Sequence, residues 1–248
     1  MRLVALSILA VIVHKLYMIF KFKKFDIRQK GSLMKVGTDS ILLGAWAKAG
    51  QSKHILDIGT GTGVIALMLA QRYPKAHIDA VEIDETSALE AKENARHSPF
   101  AERVNVVHTS IQKFAENTVR QYDLVVSNPP FFNTGMARNA ARHTMSLSHE
   151  ELLFFAKKLL AKDGHFCVIL PLVEGEQCIE TAKHHGLYLN RKTNVKPKSD
   201  KPIERLILRF SNTEKTIIED VLIIEKDSRE RAYTDAYKAL TSDFYLNM

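Results

Sequence analysis

The chain has 248 residues, 46% of them hydrophobic and 25% charged, which supplies a full core for one large domain and excludes a disordered or fibrous protein. Its formal charge of +7 and pI of about 9.3 point toward a polyanionic partner without naming one. The two cysteines, Cys167 and Cys178, have no metal-ligand spacing, and Cys167 sits in the apolar run "FCVILP", which argues against a disulfide framework and reads as a reduced core thiol in a cytoplasmic protein.

Residues 1–17, "MRLVALSILAVIVHKLY", form an apolar N-terminal extension. Leu3 to Val13 is too short to span a membrane, since His14 and Lys15 interrupt it, and no small-residue cleavage site follows. It is read as an over-extended start, with a docked helix or a targeting signal as alternatives, and residues 18–248 as a single domain. The next stretch carries Lys21, Lys23, Lys24, Arg28, Lys30 and Lys35 against one acid, Asp26, with Phe20, Phe22 and Phe25 interleaved. Basic side chains with aromatic spacers suit a polyanion that offers flat rings, although a solvated charged face reads the same way.

From Lys53 onward strand-length apolar runs alternate with amphipathic helix-length stretches. "HILDIG", "HIDAVEID", "RVNVVH", "YDLVVSN" and "HFCVILP" read as strands. "GVIALMLAQRY", "ETSALEAKENARHS", "SHEELLFFAKKLLAKDG" and "GEQCIETAKHHG" read as helices, the last two with glycine stops at Gly164 and Gly186. This alternation predicts a parallel sheet with right-handed crossovers and helices on both faces. "LYLNRKTNVK", "IERLILRFS" and "TIIEDVLIIE" follow without intervening helices, which predicts an antiparallel tail. Such sheets bind ligands at the carboxyl ends of their strands, near the reversal of strand order.

Two segments fall at such ends. "LDIGTGTGV" joins the first strand to the first helix, and Gly59, Gly61 and Gly63 allow positive φ and close approach of a ligand to the backbone. The spacing misses the dinucleotide pattern G-x-G-x-x-G, because Val64 stands where the third glycine belongs. D-x-G-x-G-x-G, starting at Asp57, resembles instead the loop of Rossmann-like S-adenosylmethionine-dependent methyltransferases, where it accommodates the cofactor's amino-acid end. Glu82 closes the next strand nineteen residues after Gly63, where a carboxylate can accept from both ribose hydroxyls. A surface glutamate before a helix capped by Asp84 is the plainer alternative.

The second segment is "SNPPFF", residues 127–132. Pro129 and Pro130 donate no backbone hydrogen bonds and fix their own φ, and each holds the preceding residue extended. The result is a stiff corner with unclaimed carbonyl oxygens, to which Asn128 adds a side-chain acceptor and Phe131 a flat face for a base. The segment matches the N-P-P-F/Y signature of amino-group methyltransferases. Acceptors at Asn128 Oδ1 and the Pro129 carbonyl can hold both hydrogens of an exocyclic amino group and aim its lone pair; no dedicated general base is needed, since the methylated product can shed its proton to water after transfer.

Taken with "MKVGTDSILLGAWA", "AVEID", "SPFAERV", "FCVILP" and "YTDAYKALTSDFYL", these motifs resemble the bacterial tRNA1(Val) (adenine(37)-N6)-methyltransferase family from about Phe22 to Met248. The resemblance implies a Rossmann-like class I fold: a mostly parallel seven-stranded sheet with an antiparallel C-terminal hairpin and helices on both faces. It implies S-adenosyl-L-methionine as cofactor, tRNA through its anticodon stem-loop as partner, and neither a metal, a membrane nor an obligate protein partner. Lys35, Thr38 and Asp39 would lie near the methionine end. Ser110 and Ile111 would lie near the adenine, Ser110 standing where the family usually has an aspartate. Lys21, Lys23, Lys24 and Arg28, with Arg138 and Arg142 in the loop after the corner and the basic run at 191–209, would hold RNA. Guanine-N2 methylation of ribosomal RNA and non-catalytic RNA binding with a degenerate cofactor site are the alternative readings.

Overall fold

The computed structural model describes residues 19–48, 50–130, 147–227 and 232–246, so the expectations for residues 1–17 and for Phe131, Arg138 and Arg142 lie outside the described residues. A short antiparallel hairpin, β1 (Ile19–Lys21) and β2 (Asp26–Arg28), leads to α1 (Thr38–Trp46). Then come β3 (His54–Ile58), α2 (Val64–Arg72), β4 (His77–Glu82), α3 (Glu85–Arg96), β5 (Val104–His108), α4 (Ile111–Asn117) and β6 (Tyr122–Ser127). After the undescribed loop follow α5 (His149–Leu159), β7 (Leu160–Pro171), α6 (Leu172–His184), β8 (Tyr188–Lys196), β9 (Arg205–Ser211), β10 (Ile218–Ile223) and α7 (Asp235–Thr241).

The main sheet has eight strands in the order β10-β8-β9-β7-β6-β3-β4-β5, one more than the seven expected. Only β9 runs against the rest: it pairs antiparallel with both β7 and β8, and β10 then pairs parallel with β8. The expected hairpin is therefore β8–β9 with β9 folded inward, and β10 is the extra edge strand. One face carries α1, α2 and α3 over a core of Ile41, Leu42, Ile65, Leu67 and Ile78. The other carries α4, α5 and α6 over Leu56, Val125, Leu153, Phe166 and Leu208. The central strands are apolar on both faces because both faces are covered.

One helix end differs from expectation. The run ending in Gly164 was expected to stay helical to that glycine, yet α5 stops at Leu159 and Gly164 lies within β7. A Cβ at Gly164 would come within 2.7 Å of the Tyr122 carbonyl oxygen, where the β6–β7 register shifts. The glycine thus serves a close strand approach rather than a helix cap. Gly186 does follow α6 with φ +66, in the left-handed region that ends helices.

The aromatic and basic runs also sort differently. Phe22 and Phe25 are 3% and 5% exposed and stack on each other with centroids 4.6 Å apart, so they are core and not platforms for bases. In the 191–209 run, Arg191 pairs with Asp220, Lys192 with Glu176 and Glu219, Lys198 with Glu225 and Arg205 with Asp39. Most of that positive charge is answered within the protein. Both cysteines are free and buried, and burial pushes each thiol up to about 12. Among the described residues no helix is long and apolar enough to cross a membrane, and no group of three or more metal-ligating side chains forms.

Candidate active site

Strand order brings the two candidate segments together. β3 lies between β4 and β6, so its carboxyl end is where the sheet's order reverses. Ile58 sits opposite Ser127, and the Ser127 hydroxyl donates to the Ile58 carbonyl at 2.9 Å. The glycine loop and Asn128 therefore leave adjoining strand ends, about 4.8 Å apart in the hydrogen-bonding direction.

The loop is an open cradle. Gly59, Gly61 and Gly63 have φ of 72°, 56° and 82°, and a Cβ at Gly59 or Gly61 would meet nothing within 4 Å. Gly63 is tighter, since its Cβ would lie 3.4 Å from that of Ala91 on α3. Beneath the loop Asp57 is fully buried. It accepts from the Thr60 hydroxyl at 2.6 Å through Oδ2, whereas Oδ1 has no hydrogen-bond partner among the described residues. Burial pushes this carboxyl up from 3.8 to about 7; the Thr60 hydroxyl and the nearby Ala66 amide pull it back in part, and the Glu82 charge adds to the rise.

Glu82, 9% exposed, ends β4 facing the same loop. Its Oε2 accepts from the Gly61 amide at 2.8 Å, and its Oε1 from the Ile83 and Asp84 amides, both at 2.9 Å. Three amides leave part of a carboxylate's acceptor capacity for a ligand and fix its orientation. Asp84 caps α3 through the Ser87 amide at 2.8 Å, so the capping role belongs to it and not to Glu82. The Thr109 amide donates to the Glu82 carbonyl at 2.9 Å, which places Ser110 beside this strand end. The Ser110 hydroxyl caps α4 by accepting from the Lys113 amide at 3.3 Å, and Ile111 is 5% exposed. At the corner, Asn128 is half-buried and its Oδ1 is buried without a partner among the described residues; Pro129 is buried and Pro130 exposed.

Other expected residues fall elsewhere. The Lys35 ammonium donates to the Gln29 carbonyl, and Thr38 begins α1 in a cleft shared with Glu204 and Arg205. Among the described residues no hydrogen bond joins either to the glycine loop. Lys21, Lys23, Lys24 and Arg28 are exposed, but Lys23 and Lys24 line a depression with Gln71 and Arg72 at the far end of α2 from the loop. Nine helical residues separate those ends by about 13 Å.

Two side chains that the sequence reading passed over hold the N-terminal arm. Asn94, 2% exposed, accepts from the Arg28 amide at 2.9 Å and donates to the carbonyls of Arg28 at 2.8 Å and Thr62 at 2.9 Å. Glu90 accepts from the amides of Lys30, Gly31 and Ser32 at 2.5, 3.2 and 2.8 Å. Together they strap residues 28–32 along α3 and tie them to the glycine loop. An i, i+4 Glu–Asn pair on a helix was visible in the sequence, but its partners were not. Asn94→Ala strands three backbone groups at roughly 1–3 kcal/mol each. A loss of about 3 kcal/mol in denaturant unfolding is expected, with faster amide exchange in residues 28–32.

The site can hold a cofactor whose ends are cationic and hydroxylated. A partnerless buried carboxylate oxygen, a glycine cradle with room above it and an oriented glutamate fit such a group. Comparisons with known proteins agree in kind. Residues 32–182 match the family described as Methyltransferase small domain. A protein of Photorhabdus laumondii named tRNA1(Val) (adenine(37)-N6)-methyltransferase is 44% identical over 92% of this chain and 95% of its own length. One of Trichodesmium erythraeum with the same name is 45% identical over 92% and 97%. Among solved structures, a predicted O-methyltransferase from Agrobacterium tumefaciens superposes with a TM-score of 0.66 at 18% identity, over 83% of this chain and 96% of that one, a likeness of fold alone.

Proposed function

The chain belongs to the tRNA1(Val) (adenine(37)-N6)-methyltransferase family, and on that footing we propose how its residues carry out N6-methylation of a tRNA adenosine with S-adenosyl-L-methionine as donor. The observation that carries the proposal is Asn128 Oδ1, a buried acceptor without a partner among the described residues, held at a donor-free bend beside the glycine loop. An exocyclic amino nitrogen is a poor nucleophile because its lone pair is delocalised into the ring. Asn128 Oδ1 and the Pro129 carbonyl accept its two hydrogens and favour a nitrogen whose lone pair is localised and directed. Two rigid prolines hold these oxygens before the substrate arrives, so no reorganisation is required in the transition state. The bound cofactor supplies an electrophilic methyl group on a sulfonium. Gly59, Gly61 and Gly63 accommodate its amino-acid end with Asp57 below, Glu82 takes the ribose hydroxyls, and Ser110 and Ile111 border the adenine. Phe131 is assigned the stacking role. Lys21, Lys23, Lys24, Arg28, Arg138 and Arg142 are assigned to the RNA, Lys23 and Lys24 on parts of the tRNA remote from the methylated nucleotide.

The test is direct. The protein is incubated with labelled cofactor and tRNA lacking the modification, and the nucleosides are then separated. N6-methyladenosine at position 37 of tRNA1(Val) is the expected product; N2-methylguanosine in ribosomal RNA would replace this reading.

Asp57 supplies a pH dependence. Its folded value near 7 exceeds its unfolded value of 3.8, so ionising it costs stability as pH rises between those values, and the cost is complete above about 7. The cofactor's ammonium favours the ionised carboxylate. Affinity for the demethylated product is therefore expected to rise by up to about tenfold per pH unit toward 7. Calorimetry between pH 5.5 and 7.5 checks this, and Asp57→Asn should flatten the profile.

A further inference from the structure

Along the edge of the sheet that carries the catalytic corner lies a second cleft, of about 310 Å³, between the start of α1, the ends of β8 and β10 and the start of β9. Its size is at the lower end of small-ligand pockets, roughly 300–1,000 Å³. Asp39, Glu204, Glu225 and Arg205 line it; Asp39 is paired with Arg205 and Glu225 with Lys198, which leaves Glu204 as the lining carboxylate with no ion pair among the described residues. Tyrosines form one wall: Tyr233 lies 4.8 Å from Tyr237 between centroids at a 32° tilt, and the Tyr237 and Tyr245 hydroxyls are 3.4 Å apart. The turn between β8 and β9 borders it and carries Lys198, paired with Glu225, and Lys201, paired with Asp200. Arg205 sits opposite both Pro171 at the end of β7 and Val195 near the end of β8. The cleft is thus two to three strand spacings from the end of β6, about 10–15 Å.

We propose that this cleft is a second base-binding subsite, which takes a nucleobase bearing an exocyclic amino group from a nucleotide in the same RNA loop as the methylated adenosine. The inference rests on the tRNA methyltransferase reading and adds to it. Glu204, which no ion pair answers among the described residues, can accept hydrogens from an amino group, and the half-buried Tyr233 offers a stacking surface backed by the buried Tyr237. The distance from the corner fits a neighbour along the strand and not the flipped adenosine itself.

The test is a set of synthetic anticodon stem-loop RNAs, each with one loop nucleotide made abasic, assayed with the unaltered enzyme and with Tyr233→Ala, Tyr233→Phe and Glu204→Gln. On intact RNA, Tyr233→Ala is expected to raise KM for RNA about tenfold with kcat changed less than twofold, Glu204→Gln to raise it severalfold, and Tyr233→Phe to behave like the parent. At one abasic position the parent and Tyr233→Ala should show the same KM, because the base that the tyrosine holds has gone. An equal Tyr233→Ala penalty on every abasic RNA, no penalty on intact RNA, or a Tyr233→Phe loss as large as that of Tyr233→Ala would each overturn the subsite. If the unaltered enzyme methylates intact RNA, such a failure falls on the subsite alone. If it methylates none, the functional reading falls with it.

Discussion

Asn128→Ala is expected to lower the rate of methyl transfer by about 10²–10³-fold or more, the range seen when one preorganised polar group is removed from a transition state, while cofactor affinity changes less than about threefold. The asymmetry follows from where the side chain points. Asn128 Oδ1 is buried at the end of β6 with no partner among the described residues, whereas the groups suited to the cofactor, Asp57, the glycine loop and Glu82, belong to β3 and β4. A buried acceptor without a hydrogen bond costs roughly 1–3 kcal/mol, so the folded chain is expected to gain stability when it is removed. Activity and stability should therefore move in opposite directions. Single-turnover kinetics with calorimetry for the cofactor and a denaturant titration separate the three quantities. Transfer at the parent rate, or a parallel loss of cofactor affinity, would remove Asn128 from the role given to it.

The sequence made the bend after β6 and the glycine loop legible because their geometry is local. Proline fixes φ whatever surrounds it, glycine alone accepts the loop's positive φ, and both effects are written residue by residue. The central strands were legible for a related reason: a strand covered on both faces must be apolar throughout. What escaped depended on pairing between distant segments. No local signal distinguishes Phe22 and Phe25 as core from the same residues as exposed platforms; what decides it is their stacking on each other, with Phe20 and Tyr245 against Phe22 and Phe100 against Phe25. The basic run at 191–209 read as an RNA surface until Asp39, Glu176, Glu219, Asp220 and Glu225 arrived from elsewhere in the chain to neutralise it. Gly164 looked like a helix stop because the carbonyl it must admit belongs to Tyr122, on another strand.

Those pairings change where the RNA is expected to bind. With the 191–209 run largely answered, the exposed positive charge of the described residues near the N-terminal arm rests on Lys21, Lys23, Lys24, Arg28, Lys30 and Lys35. Asn94 and Glu90 tie that arm to α3, and Asn94 reaches the Thr62 carbonyl of the glycine loop itself. Arm and glycine loop are thereby held by one helix, and RNA bound on the arm as proposed would sit on an element that also holds the loop.

Glu82 is the sharper test of the cradle, because its carboxylate has two duties that a substitution can separate. It orders the loop by accepting from the Gly61, Ile83 and Asp84 amides, and it is assigned the ribose hydroxyls. Glu82→Gln keeps the shape but sets an amino group against one of those amide donors, so some loss of stability is expected whether or not a ribose ever binds there. Affinity for the demethylated cofactor is expected to fall about 10²-fold, equivalent to about 2.7 kcal/mol, in line with one or two lost hydrogen bonds to a charged acceptor. Affinity alone cannot distinguish a disordered loop from a missing ribose contact; a double-mutant cycle can. The same product lacking both ribose hydroxyls should bind the parent about as weakly as the intact product binds Glu82→Gln, and the two losses should fail to add when combined. Additive losses would mean that Glu82 only shapes the loop, and the ribose would then have to be sought elsewhere along the end of β4.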